Sequence, residues 1–254
     1  MKRVLCAVGI VLFTGSLVRA QQPPAAPAGG GGRAQQAPPP ITNLQFFPKD
    51  TPRERVLAVM QQFTVSLGVQ CNYCHVQDRA ADELRTKGVA RQMLALVRDL
   101  SQKLPQAVGK PADQTTAVNC TTCHRGVPIP KALSDILTAT EKEKGIDAAI
   151  AQYWDLRKQF FGRAAYDFGD GTIVTTAQGL TNDKPEEALK LLEINTQFFP
   201  GSSRTFVAMS QAHLKLNKKD EAIKDLEKAA ALDPQNGALK RQLDQLKGPG
   251  TSGQ

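Results

Sequence analysis

Val56, Met60, Phe63 and Leu67 recur at three- and four-residue intervals, the spacing of one face of an α-helix. Start signals precede them in Thr51-Pro52-Arg53-Glu54: Thr as N-cap, Pro in the first turn and Glu at the capping-box position. Gly68 closes the stretch. Val89, Met93, Leu96, Val97, Leu100 and Leu104 mark a second amphipathic helix over residues 82–104, with Pro105, Gly109 and Pro111 as breakers. Further on the pattern repeats itself. Glu187-Ala188-Leu189-Lys190 returns 34 residues later as Glu221-Ala222-Ile223-Lys224, Leu192-Glu193 returns as Leu226-Glu227, and Pro200 as Pro234. That period, with a small Ala in the helix and a closing Pro, is the tetratricopeptide signature. Each helical pair exposes an apolar face that its neighbour covers. The pattern predicts a second repeat helix over 184–199, a full pair over 203–216 and 219–232, and a capping helix over 235–247. Tyr153, Trp154, Leu156, Phe160 and Phe161 predict one more helix packing on the array, with 165–171 as a loop. No βαβ pattern is present, so the expected class is all-α.

The two ends read differently. Lys2 and Arg3 precede an apolar run from Val4 to Leu17, and Val18-Arg19-Ala20 ends it in an A-x-A-like cleavage site. This is the layout of a secretory signal peptide, residues 1–20, shorter in its apolar part than the ~20 residues of a membrane span. The mature chain is therefore expected outside the cytoplasm, in the periplasm. Residues 21–40 are Gln, Pro, Ala and Gly with the single charge Arg33, a disordered linker that buries no core. Residues 249–254 read as a tail.

Two five-residue motifs carry the chemistry. Cys71-Asn72-Tyr73-Cys74-His75 and Cys120-Thr121-Thr122-Cys123-His124 both read C-x-x-C-H, the attachment signature of a c-type haem. Two thiols three positions apart reach the two vinyl groups of one haem, and the adjacent His gives its imidazole to the iron. Together they use every cysteine but Cys6, which leaves with the signal, and every histidine but His213. A zinc ribbon expects roughly 15–20 residues between its pairs, whereas 45 separate Cys74 from Cys120. Redox dithiols and plain disulfides require no His after each pair. Two covalently attached haems follow, held by Cys71, Cys74, Cys120 and Cys123, with His75 and His124 as proximal iron ligands. The domains are then 41–132 for the dihaem cytochrome c domain, 133–152 for a connecting segment and 153–248 for the repeats.

A six-coordinate haem needs a ligand opposite its His. Met60 and Met93, each on a helix upstream of a motif, are the candidates, and core filling is the alternative use of a Met on an apolar face. His213, inside the repeats, reads as a packing or surface residue.

Charge adds little. The chain is +8 overall and +5 without its signal; residues 41–133 carry +5 and residues 134–254 carry −1. Four haem propionates would largely offset the basic half. The remainder suits steering of an acidic redox partner, and no nucleic-acid role is expected for an exported chain.

Asn43-Leu44-Gln45-Phe46-Phe47-Pro48, the Met60 helix and Gly68-Val69-Gln70 before Cys71 resemble the cytochrome subunit of photosynthetic reaction centres. Ala90-Arg91-Gln92-Met93 and Cys120 to Gly126, with Pro128 and Pro130, do so as well. The resemblance covers residues 41–130. In that family, helix methionines upstream of the motif are sixth ligands for most haems, which implies Met60 for the first haem and Met93 for the second. The photosynthetic subunit has four haems, whereas this chain has motifs for two. The expected function is a periplasmic dihaem electron carrier. Redox proteins or a membrane electron-transfer complex are its expected partners, the repeats its docking element, and membrane association is left open. A dihaem enzyme such as a peroxidase needs an open iron site and an acid/base residue. Asp78, Asp82 and Glu83 are the acids nearby and read as a solvated loop and helix start. A repeat scaffold with structural haems is the other alternative.

Overall fold

The computed structural model describes residues 40–248. The signal peptide, the linker up to residue 39 and the tail lie outside the described residues. Ten α-helices and no strand are found among those described, so the class is all-α.

Helix α1 spans Arg53–Leu67 and contains Met60 at its midpoint. Its cap position is Pro52, and no side chain caps it. The expected Thr51 cap is not formed: the cap position falls one residue later, and the Thr51 amide donates to the Pro48 carbonyl at 3.1 Å. Proline's fixed φ already suits a helix entry. Gly68 ends the helix at φ 66°, returning its N–H to the Thr64 carbonyl. Helix α2 spans Arg85–Val108, beginning and ending later than the pattern predicted. Asp82 stays outside it as a side-chain acceptor for Lys87 and Arg91, each at 2.9 Å. Pro105 does not break it but sits in its last turn; a proline there removes one hydrogen bond, and the stop comes at Gly109 with φ 65°.

Helices begin upstream of residue 153. Residues 133–152, read as a connection, form α4 (Leu133–Lys144) and open α5 (Ile146–Phe160), with Leu133, Leu137 and Ala149 fully buried. Helix α6 (Asp170–Leu180) was also not foreseen. Gly171, Thr172, Thr175, Thr176 and Gly179 are weak helix formers, and burial of Ile173, Val174 and Ala177 overrides them. Shifted by 34 residues, α6 falls on α8 (Ser203–Lys215), so α6 and α7 (Pro185–Phe198) complete a repeat ahead of α8 and α9 (Lys219–Leu232). Helix α10 (Gly237–Lys247) caps α9 with Leu239. Helix α4 packs on α6 and α6 on α8, so the first helices of successive pairs lie side by side. One continuous core joins Leu137, Tyr153, Ile173, Leu191, Leu192 and Ala208. Each fully buried Leu or Ile contributes roughly 1.5–3 kcal/mol of transfer free energy.

Residues 41–131 are built otherwise. Their buried apolar side chains are Val56 and Val127, and α2 buries no residue at all.

Candidate haem-attachment site

Cys71–Tyr73 forms a single 3₁₀ turn, while Cys120–Cys123 forms a short helical turn, α3. A capping box fixes the second. The Asn119 side chain accepts from the Thr122 amide at 3.2 Å, and the Thr122 hydroxyl accepts from the Asn119 amide at 3.0 Å. In both motifs the histidine amide donates to the carbonyl of the first cysteine at 3.0 Å. That bond winds each motif through one turn, and none of the four cysteines is in a disulfide. Burial raises the Cys74 thiol above its ordinary value, against a lowering hydrogen bond with Thr86, and burial raises Cys120.

The histidines are oriented alike. His75 Nδ1 lies 3.2 Å from the Arg79 carbonyl, and His124 Nδ1 lies 3.0 Å from the Val127 carbonyl. A carbonyl only accepts, so Nδ1 carries the proton in each ring and the Nε2 lone pair is left for a metal. Burial, then the Lys87 ammonium, hold His75 below its ordinary value and favour the neutral, ligating form.

The two motifs meet through the end of α1. Ser66, buried, shares a 2.9 Å hydroxyl contact with Thr121, and the Gly126 amide donates to the Ser66 carbonyl at 2.8 Å. Gly68 faces the Gly126 carbonyl so closely that a Cβ there would stand 2.2 Å from its oxygen. Arg125, next to it, adopts φ 49° to make this turn. Beyond the turn, Phe160 and Arg163 at the end of α5 face Val65, Thr121 and Arg125 across a shallow crevice.

Met60 and Met93 are half-buried on α1 and α2. The other two sulfur and imidazole candidates are used elsewhere: Met209 packs in the repeat core, and His213 Nδ1 lies 2.7 Å from the Asp225 carboxylate. Burial raises the Asp225 carboxyl above its ordinary value, against the lowering effect of His213.

Sequence reasoning missed the clasp around the first motif. Lys87 reaches the Arg79, Ala80 and Ala81 carbonyls at 3.0, 2.9 and 2.7 Å. Gln45 donates to Asp82 at 3.0 Å, and Asn43 donates to the Ala80 carbonyl. The legible signal was Lys87 and Arg91, four apart on one helical face just after Asp82. Hydrogen bonds from Arg91 first, then Lys87, then Asn43 hold Asp82 well below the usual carboxylate range.

The family model for the photosynthetic reaction centre cytochrome C subunit matches residues 17–160, more than half of the chain. The chain belongs to that family. A tetratricopeptide model matches residues 203–236, the α8/α9 pair. Among curated relatives, the photosynthetic reaction center cytochrome c subunit of Rubrivivax gelatinosus is 38% identical over 77 residues, 30% of this chain and 19% of that one. The subunit of Thermochromatium tepidum is 45% identical over 62 residues, 24% of this chain and 14% of that one. Cytochrome c-554 of Chloroflexus aurantiacus is 41% identical over 76 residues, 29% of this chain and 18% of that one. The chain thus spans less than a fifth of the length of each of these three relatives. No solved structure matches it.

Membership of a cytochrome c family implies covalently bound c-type haem. The residues fit that group. Each motif offers two free thiols and an imidazole with Nε2 available. On the helices beside them, Leu57 and Val65 of α1 and Val89, Leu96 and Leu100 of α2 are 41–76% exposed, leaving an apolar surface open.

Proposed function

We propose that this chain is a dihaem c-type cytochrome that carries single electrons between redox proteins or a membrane electron-transfer complex in the periplasm, docking through its helical repeats. The observation that carries the reading is the paired geometry of the motifs: twice, a C-x-x-C turn presents a histidine whose Nδ1 is held by a backbone carbonyl. Cys71, Cys74 and His75 would hold one haem, and Cys120, Cys123 and His124 the other. A bound c-type haem supplies a one-electron iron couple. The protein's part is orientation and exclusion of water. The carbonyls of Arg79 and Val127 fix the imidazole planes, and the apolar stripes of α1 and α2 provide dry walls. Met60 on α1 and Met93 on α2 would supply thioether sulfur to the two irons. The side-by-side first helices α4, α6 and α8 present the face for a protein partner. Export is supported by the basic start and apolar run of residues 2–17.

The test is spectroscopic. The purified full chain is expected to hold two covalent haems, low-spin in both redox states, with a Met-to-iron charge-transfer band when oxidised. A high-spin haem that readily takes cyanide or peroxide would sink the carrier reading in favour of an enzyme. A Cys-to-Ala chain that lacks haem yet still folds and supports function would favour the scaffold.

A further inference from the structure

The carbonyl that orients His75 has a second donor. Arg79 O accepts from His75 Nδ1 at 3.2 Å and from Lys87 Nζ at 3.0 Å. The ammonium is placed firmly. Its side chain is 11% exposed, and four oxygens surround its three protons: the carbonyls of Arg79, Ala80 and Ala81, and the Asp82 carboxylate at 2.9 Å. Asp82 is in turn shared with Arg91 and Gln45, so it does not cancel the lysine's charge by itself. At the second motif, His124 Nδ1 donates to Val127 O at the shorter 3.0 Å. Lys87 lies twelve residues after His75, and twelve after His124 stands Ile136.

The partner of a ligating histidine's second nitrogen sets the electron richness of the ring. A strong acceptor at Nδ1 pushes density onto Nε2 and favours the oxidised iron. An acceptor whose density is drawn away by an ammonium does so less, and the positive charge itself favours the reduced iron. Both effects have one sign. We infer that Lys87 is a positioning residue that, through the shared Arg79 carbonyl, makes the His75 site the higher-potential of the two. This rests on the reading of His75 and His124 as proximal haem ligands, and it orders the two sites for electron flow: an electron entering the chain settles at the first motif.

The experiment is a redox titration of the full holoprotein, followed by its visible spectrum, for the wild type, Lys87→Met and Lys87→Arg. In Lys87→Met one of the two one-electron steps is expected to fall, its oxidised-to-reduced ratio at fixed potential rising about tenfold, which is about 59 mV. The other step stays within about twofold, the scatter of a change that does not touch it. Lys87→Arg, which keeps charge and donors, is expected to recover most of the shift. Neither step moving, both moving equally, or Lys87→Arg falling as far as Lys87→Met overturns the inference. Should Lys87→Met fail to hold haem, NMR of the reduced wild type decides. The His75 Nδ1 proton is expected to exchange faster than that of His124, and equal or slower exchange overturns the role of Lys87. Haem content is measured first: a chain with fewer than two attached haems overturns the dihaem reading itself, which separates that failure from one of Lys87.

Discussion

Gly68 and Gly126 lie in contact although 58 positions apart, and the 2.2 Å that an added Cβ would leave to the Gly126 oxygen is shorter than any real packing distance. The end of the Met60 helix and the turn after the second histidine are therefore one joint. Gly68 also sits at φ 66°, where a side chain costs roughly 1–2 kcal/mol before any clash. Gly68→Ala is expected to destabilise the cytochrome half by more than this and to loosen the second motif as well as the first. Thermal unfolding monitored at the haem absorption, beside far-ultraviolet dichroism of the repeats, separates the two halves. A variant with wild-type haem melting would break the link between the motifs.

The two methionines give a separable test of ligation. Met60→Ala and Met93→Ala are each expected to lower one reduction potential and to remove about half of the Met-to-iron band, since a thioether opposite His raises the potential. Unchanged spectra in both variants would return Met60 and Met93 to core filling.

Lys184 and Glu141 join α7 to α4 across the repeat core, with Glu141 almost fully buried. The hydrogen bond to Glu141 raises the Lys184 pKa above its ordinary value. A raised folded pKa means stability that is complete below the ordinary lysine value of about 10.4 and lost as pH rises through the folded value. Thermal melts are therefore expected to drop more steeply above that pH in the wild type than in Lys184→Met. At neutral pH Lys184→Met should melt lower than the double variant with Glu141→Gln, because the single change leaves a buried carboxylate unpaired. The reverse order would show the pair to be dispensable.

Asn195 occupies the position that Ala229 holds one repeat later. It is fully buried, and its amide donates to the Asp170 carbonyl at 3.0 Å and to the Thr205 hydroxyl at 2.9 Å, tying α7 to the starts of α6 and α8. Its own oxygen has no hydrogen-bond partner among the described residues. Asn195→Ala is expected to cost about 1–3 kcal/mol in denaturant unfolding, the range for stranding buried polar partners. A neutral result would mean that the unpaired oxygen cancels what the two bonds contribute.

The repeats were legible where the 34-residue echo was strong. Glu187 to Lys190 and Glu221 to Lys224 announced α7 and α9 to within two residues. Helix α6 was hidden because its threonines and glycines speak against a helix, and only packing on α7 and α8 holds it. At the haem-attachment site, the cysteines and histidines stood out by spacing alone. Lys87, Ser66, Thr121 and Gly126 did not, for their roles depend on chain segments brought together by folding. Asp82 was read as solvated and is indeed exposed; that it also receives Lys87, Arg91 and Gln45 was not legible, because the residue types were plain but the loop's return path was not.

Val56 and Val127 alone are buried among the apolar side chains of residues 41–131. A half with so little interior of its own is expected to mature only with its cofactor, while the helical hairpins after it share a continuous core. The expected consequence is metabolic: starved of iron, a cell would keep a repeat fragment and lose the rest to proteases. The level of intact chain would then follow the haem supply with no dedicated regulator.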